Sequence, residues 1–354
     1  MHPSPTKPDA RLGFGTSVVL ALVIVIAVAS ANGGLTGLLT VGEDFPIRPF
    51  VEADFGAVEL ANGDGHDGQQ YYGIARDPFG TGEVPDLLDN PSYRYLHILY
   101  PLLAGGFGLF SPAVTLWLMA ALAVLGFGLA GAAALRIARQ LGGGHTVVLL
   151  AVVNVGLLLA VRFLLPDTLA LALSLIGVSL ALEGRDRPAG VALALAVLAK
   201  TTYFVFPLAL GAWVWRSDRA RAVALTVLPA VPAGLWMGYV FARFGASTAG
   251  NLAVPFTGLI GAIDLWNEVS SGEVAMALGA LLLVGIGLVL AARTRHELLR
   301  WLLLAWVGVA LISSEFVWEF GNNTLRVLAP LWSLAAVAGS VYLSSRTSRK
   351  NLPV

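Results

Sequence analysis

No cysteine occurs among the 354 residues, so there is no disulfide framework, no thiolate nucleophile and no Cys-ligated metal. Charge is nearly as scarce: 12% of residues are charged, against about 25% in a typical soluble domain. Lysine is confined to Lys7, Lys200 and Lys350. The five histidines (His2, His66, His97, His145 and His296) have no H-x-x-x-H or comparable spacing, which argues against a nitrogen-ligated metal centre. Nothing in the pattern suggests a nucleic-acid partner. What abounds is apolar sequence, at 57% of the chain. No single water-soluble core could hide that much, and a bilayer is its natural solvent.

Apolar runs lie at about 14–32, 112–135, 146–161, 166–182, 188–199, 202–215, 222–241, 274–292, 301–314 and 325–344. The expected fold is therefore all-α, a polytopic transmembrane bundle of about ten membrane segments forming a single domain over residues 1–354. The first run follows Lys7 and Arg11 and ends in Ala-Val-Ala-Ser-Ala, which also admits a cleavable signal peptide. Its length and the spans after it favour a retained helix.

Ten segments put both termini on one side, and the cations agree. Lys7, Arg11, Arg136, Arg139, Arg185, Arg187, Arg216, Arg219, Arg221, Arg293, Arg295, Arg300, Arg346, Arg349 and Lys350 would be cytoplasmic, 15 of the 22 Lys and Arg. The other side receives 17 of the 22 acids, eleven of them between Glu43 and Asp89. The expected location is the plasma membrane, with both termini cytoplasmic.

Residues 188–215 lie between two cytoplasmic Arg clusters, yet 28 residues are too few for two spans of ~20. The chain must enter and return, leaving Lys200 at membrane depth. A charge there costs at least about 2.5–3.5 kcal/mol unless it snorkels to the surface or finds a wet cavity or partner. A second irregularity is Arg162-Phe163-Leu164-Leu165-Pro166-Asp167, where Pro166 can start a helix and Arg162 could pair with Asp167.

The long non-cytoplasmic loop, residues 33–111, is expected to hold interfacial helices. Tyr71, Tyr72, Ile74 and Ala75 suggest a short helix with Asp67 in its first turn, as N-cap or favoured by the dipole. Asp77-Pro78 should close it. The aromatic and basic run from Tyr93 to Leu103 suits a helix over 92–110 at the membrane–water interface.

His66-Asp67-Gly68-Gln69-Gln70-Tyr71-Tyr72-Gly73-Ile74-Ala75 resembles the W-D-x-x-W-Y-x-x-I-A pattern of several branches of the GT-C superfamily of membrane glycosyltransferases, with His in place of Trp. Tyr100-Pro101-Leu102 is similar to the Y-P-L segment that follows it there. Pro166-Asp167-Thr168 and Leu198-Ala199-Lys200-Thr201-Thr202 also look like stretches of that superfamily.

The resemblance implies transfer of a sugar from a polyprenyl-phosphate donor to a glycan or lipid acceptor on the non-cytoplasmic face. It places the family's carboxylate at Asp67, with Asp44 as the second candidate. Such chemistry needs a base for the acceptor hydroxyl and cations for the departing phosphate, for which Lys200, Arg162, Arg326 and Arg94 are candidates. Gln70, Tyr71, Asn322 and Asn323 are the candidates for sugar or acceptor contacts, and Trp318 with Glu315 and Glu319 is a weaker one. No cofactor is certain, although Glu43, Asp44, Glu52 and Asp54 could offer oxygen ligands to a divalent ion such as Mg or Mn. Competing readings are a transporter or lipid flippase, which would favour charges within the spans, and a non-catalytic membrane scaffold.

Overall fold

The computed structural model describes residues 7–144, 149–246 and 251–350, with side chains from Ala10 to Arg346. His2, His145, the start of the 146–161 run and the side chains of Arg349 and Lys350 lie outside these. The architecture is a helical bundle. Its one small sheet is a two-stranded parallel pair among the described residues, β1 (Val41–Gly42) with β2 (Leu60–Ala61).

Four helices are long and apolar enough to cross a membrane. They are α1 (Lys7–Ala31), α6 (Pro112–Gln140), α11 (Arg219–Phe244) and α13 (Ser271–Arg293). A fifth exists if α16 (Gly321–Val327) and α17 (Ala329–Lys350), bent by 55°, are taken as one span. The bend has a cause in the sequence. Pro330 has no N–H to offer the turn before it, and its ring crowds the carbonyl of Arg326, so the helix breaks at Leu328.

Ten spans are not what the helices deliver. The runs at 146–161, 166–182, 188–199, 202–215 and 301–314 fold as α7 (Val155–Arg162), α8 (Asp167–Leu182), α9 (Asp186–Ala199), α10 (Val205–Val214) and α14 (Glu297–Ile312), none longer than 16 residues. At ~1.5 Å per residue the longest reaches about 24 Å of a ~30 Å core. Apolar periodicity marks such helices but cannot tell a span from a helix buried among spans. α8 is nearly all enclosed within the bundle, whereas α11 is only 17% buried over its most apolar window.

The chain reverses over 188–215, as its entry and return would require. Arg221, at the start of α11, donates to the Asp186 carboxylate at 2.9 Å and to the Ala181 carbonyl at 2.6 Å. That clamps the two ends of the excursion together. α9 rises from this clamp, stops at the extended Lys200, and the chain returns through the 3-10 turn Thr201–Phe204 and α10. The same end of the bundle carries the Arg136–Glu183 and Arg185–Glu183 pairs. We call it the far end, and the opposite one the loop end.

The loop folds onto the bundle through α2 (Arg48–Phe55), α3 (Asp67–Arg76), α4 (Pro91–Arg94) and α5 (Leu99–Phe107). The expected single helix over 92–110 is interrupted by the 3-10 turn Tyr95–His97. Tyr95, His97 and Tyr100 are buried, with Tyr100 donating to the Met119 carbonyl at 2.8 Å. These aromatics are internal packing rather than an interfacial belt. α11 reaches up to hold the loop, with Trp236 donating to the Tyr95 carbonyl at 2.7 Å and Tyr239 to that of Phe79 at 2.6 Å.

Candidate active site

α3 opens the site, and the residue before its first turn explains how. His66 is extended and is the N-cap: its Nδ1 accepts from the Asp67 N–H at 2.9 Å. Asp67 is therefore the first helical residue rather than the cap. Because Nδ1 accepts, the neutral ring carries its proton on Nε2. The ring also stacks on Phe163, centroids 3.6 Å apart. Burial, helped by the charges of Arg326, Arg94 and Arg162 against Asp67, lowers its pKa from 6.5 to about 4.

Between those values the unfolded chain binds a proton that the native chain refuses. Stability is therefore full above about pH 6.5 and falls as the pH drops toward 4. Denaturation followed at pH 7 and pH 5 should reveal this loss. His66→Asn, which keeps a side-chain acceptor at the cap, should lack it; the same loss in that variant would assign it elsewhere.

Packing fixes α3 as firmly as its cap does. A Cβ on Gly68 would lie 2.4 Å from the Phe163 carbonyl oxygen and 3.2 Å from that of Leu39. Gly68→Ala should destabilise by about 1–3 kcal/mol, since backbone must move to admit the methyl. A thermal midpoint equal to that of wild type would mean that α3 is free to shift. On the other wall, a Cβ on Gly156 would meet the Leu325 carbonyl at 2.1 Å, so α7 presses directly on the turn that carries Arg326. Asn154 caps α7 and donates to the Ala329 carbonyl at 2.7 Å, across the break at Leu328.

These elements bring Asp67 between two arginines. Arg94 Nη1 lies 2.9 Å from one carboxylate oxygen and Arg326 Nη2 3.1 Å from the other. Burial alone would raise the Asp67 carboxyl, but Arg94 and Arg326 outweigh it and hold it far below the usual carboxylate range. Arg94 is itself braced. Its Nε and Nη2 grip Asp89 at 2.9 and 2.5 Å, and Gln70 holds Asp89 through its side-chain amide at 3.0 Å. Burial would lower the Arg94 pKa, yet Asp67 and Asp89 keep it well above its ordinary value.

Arg326 differs. Its Nε and Nη1 are buried with no hydrogen-bond partner among the described residues. A buried donor left unmade costs about 1–3 kcal/mol.

Below them, Lys200 Nζ meets the Asp167 carboxylate at 2.5 Å, with Lys200 8% and Asp167 2% exposed. Lys200 does not snorkel, and Asp167 pairs with it rather than with Arg162. Arg162 instead donates to Thr40 Oγ1 at 3.0 Å and to the Gly37 carbonyl at 3.3 Å. Asp167 also begins α8, where the helix dipole favours its charge.

An open cavity of about 660 Å³ lies over this layer, bordered by His66, Asp67, Asp89, Tyr93, Arg94 and Arg326 and, opposite, by Asn251, Phe316, Phe320 and Asn323. A deeper pocket of about 50 Å³ shares Arg326, Tyr93, Asn251, Phe316 and Asn323 with it and reaches Lys200.

Of the expected residues, the structure brings Asp67, Arg94, Arg326, Lys200 and Asn323 together here. Asn322 also borders the cavity, but its amide is committed to Glu273 at 3.1 Å. Gln70 and Tyr71 stand behind the wall, Gln70 on Asp89 and Tyr71 on His97 Nδ1 at 3.0 Å. Arg162 and Asp44 do not line the cavity. Asp44 is exposed, its N–H donating to the Gly63 carbonyl at 3.2 Å. Trp318 is buried and donates to the Ala310 carbonyl, so no aromatic–acid sugar platform forms with Glu315 and Glu319.

Glu52 pairs with Arg48 at 2.9 Å, while Asp54 takes Tyr72 Oη at 2.6 Å and Arg76 at 3.3 Å. Among the described residues no three His, Asp or Glu side chains converge to hold a metal ion.

Asp89, Tyr93 and Asn251 are the functional candidates the sequence did not single out. Asp89 precedes Arg94 by five residues, just before the Asn90 cap and Pro91 of α4, and that spacing was the available signal. Asn251, which donates to Tyr93 Oη at 2.7 Å, is 158 residues away from it and left none.

No protein-family model matches the chain, and no curated protein or solved structure matches it.

Proposed function

We propose that this protein is a membrane glycosyltransferase of the GT-C type. It would move a sugar from a polyprenyl-phosphate donor to a glycan or lipid acceptor at the loop end, taken as the non-cytoplasmic face. The observation that carries the reading is Arg326: a buried guanidinium, two of its three nitrogens without a partner among the described residues, borders a cavity beside a carboxylate. That is an anion site adjoining a base. The resemblance around Asp67 and the membrane-length helices support the same reading.

Three cations (Arg94, Arg326, Lys200) face three carboxylates (Asp67, Asp89, Asp167), so the protein's own charges balance there. A donor phosphate adds negative charge and competes for the arginines. Arg94 is held by Asp89, whereas Arg326 has two nitrogens without a partner among the described residues and, like Lys200, lines the deeper pocket. Drawn to the phosphate, Arg326 loosens its hold on Asp67, whose basicity then rises toward what proton abstraction needs. The acceptor hydroxyl gives its proton to Asp67 as its oxygen bonds to the sugar C1. The C1–O bond to phosphate breaks, and polyprenyl phosphate leaves with the electron pair, stabilised by Arg326 and Lys200.

Asn323, Tyr93, Asn251 and the His66 Nε2–H supply polar contacts for the sugar. Phe316, 59% exposed, with Leu252, 63% exposed and lining the deeper pocket with it, offers the lipid tail an apolar approach. In this reading the chain sits in the plasma membrane. The charged far end and both termini are cytoplasmic, and the short helices complete the crossings in pairs.

Incubation of the purified protein with labelled polyprenyl-phosphate sugars should give transfer to lipid or glycan. No transfer from any such donor, together with solute flux in liposomes, would replace this reading by a transporter.

A further inference from the structure

Away from the cavity, an apolar groove of about 360 Å³ lies between α9 and α11. Gly190, Ala194 and Leu198 form one wall, Leu228 and Pro232 the other, and Arg187 stands at its far end. The small residues at 190 and 194 hollow out α9, while the neighbouring Val191 is 61% and Leu228 54% exposed. Arg187 is exposed at the level of the charged belt formed by Glu183, Asp186, Arg136 and Arg221. Both adjacent carboxylates are taken: Asp186 by Arg221, and Glu183 by Arg136 and Arg185. Arg187 makes no ion pair with any described residue.

Length decides what fits. From Arg187 to Leu198 the helix rises about 16 Å, half of a ~30 Å hydrocarbon core and so the depth of one leaflet. A groove of that length with a lone cation at the headgroup level matches one acyl chain and one phosphate.

We propose that this groove binds an anionic phospholipid of the far-end leaflet, its acyl chain between α9 and α11 and its phosphate on Arg187. The site stands apart from the loop-end cavity and does not depend on what that cavity does. It would brace the short helix whose tip carries Lys200.

The test is native mass spectrometry of the detergent-solubilised full chain, titrated with dioleoyl phosphatidylglycerol or dioleoyl phosphatidylcholine. One basic side chain at a membrane surface predicts about a fivefold preference for the first bound phosphatidylglycerol. Arg187→Gln should abolish the preference, whereas Arg293→Gln, an exposed far-end arginine outside the groove, should keep it. Ala194→Trp, which fills the groove, should weaken the first binding event for both lipids. No preference in wild type, retention of it in Arg187→Gln, equal loss in Arg293→Gln, or wild-type binding by a folded Ala194→Trp would each overturn the proposal.

Discussion

Asp67→Asn is expected to lower the rate of sugar transfer by about 10²–10⁴-fold, the range for loss of a positioned general base, while donor binding persists. The amide cannot take a proton from the acceptor, yet it is nearly isosteric and leaves His66 capping α3 through the backbone. Arg94 keeps Asp89 in the variant, so only Arg326 loses its ion partner. That loss frees Arg326 for the phosphate, and donor affinity should hold or rise. The signature is thus a fall in kcat without a rise in KM. Transfer at the wild-type rate would remove Asp67 as the base. A raised KM with unchanged kcat would reassign it to binding. Because the arginines hold Asp67 far below the ordinary range, its protonation should not set the acid limb of kcat/KM above about pH 4.

Lys200→Met should destabilise the protein by about 3–5 kcal/mol, because it strands the Asp167 carboxylate in an enclosed setting. The sequence alone left Lys200 to snorkel, to face a wet cavity or to find a partner, and offered it as a cation for the donor phosphate. The buried pair changes that expectation. Adding Asp167→Asn to Lys200→Met removes the stranded charge and should recover most of the lost stability, read as the thermal midpoint. Donor affinity should stay reduced in the double variant, since the deeper pocket has lost one of its two cations. A double variant no more stable than the single one would show that the pair is not what the fold depends on.

The architecture was readable where the physics is one-dimensional. Apolar runs marked helices, and the Arg clusters at 185–187 and 216–221 forced the return at Lys200, which the Arg221 clamp now explains. Span number was not readable, because α8 and α14 are as apolar as the longer helices yet stop after 16 residues. At the site, helix-start chemistry put Asp67 in a first turn, but the cap fell to His66, whose ring nitrogen can accept only when the imidazole is neutral. Arg326 and Asp67 are separated by 259 residues, and nothing local in either segment announces the pairing. The same holds for Lys200 and Asp167: the sequence offered Arg162, five residues from Asp167, as the nearer partner. Packing chose the distant one, since α8 and α9 lie side by side while Arg162 turns to Thr40.

The central claim is that a lipid phosphate takes the free edge of Arg326 and thereby releases Asp67. A structure of the full chain with a non-transferable polyprenyl-phosphate sugar analogue tests it most directly. The account predicts phosphate oxygens within hydrogen-bond distance of Arg326 Nε and Nη1, close to Lys200, with the 3.1 Å contact between Arg326 and Asp67 opened and that between Arg94 and Asp89 intact. A phosphate bound elsewhere, or one bound with the Arg326–Asp67 contact unchanged, would contradict it.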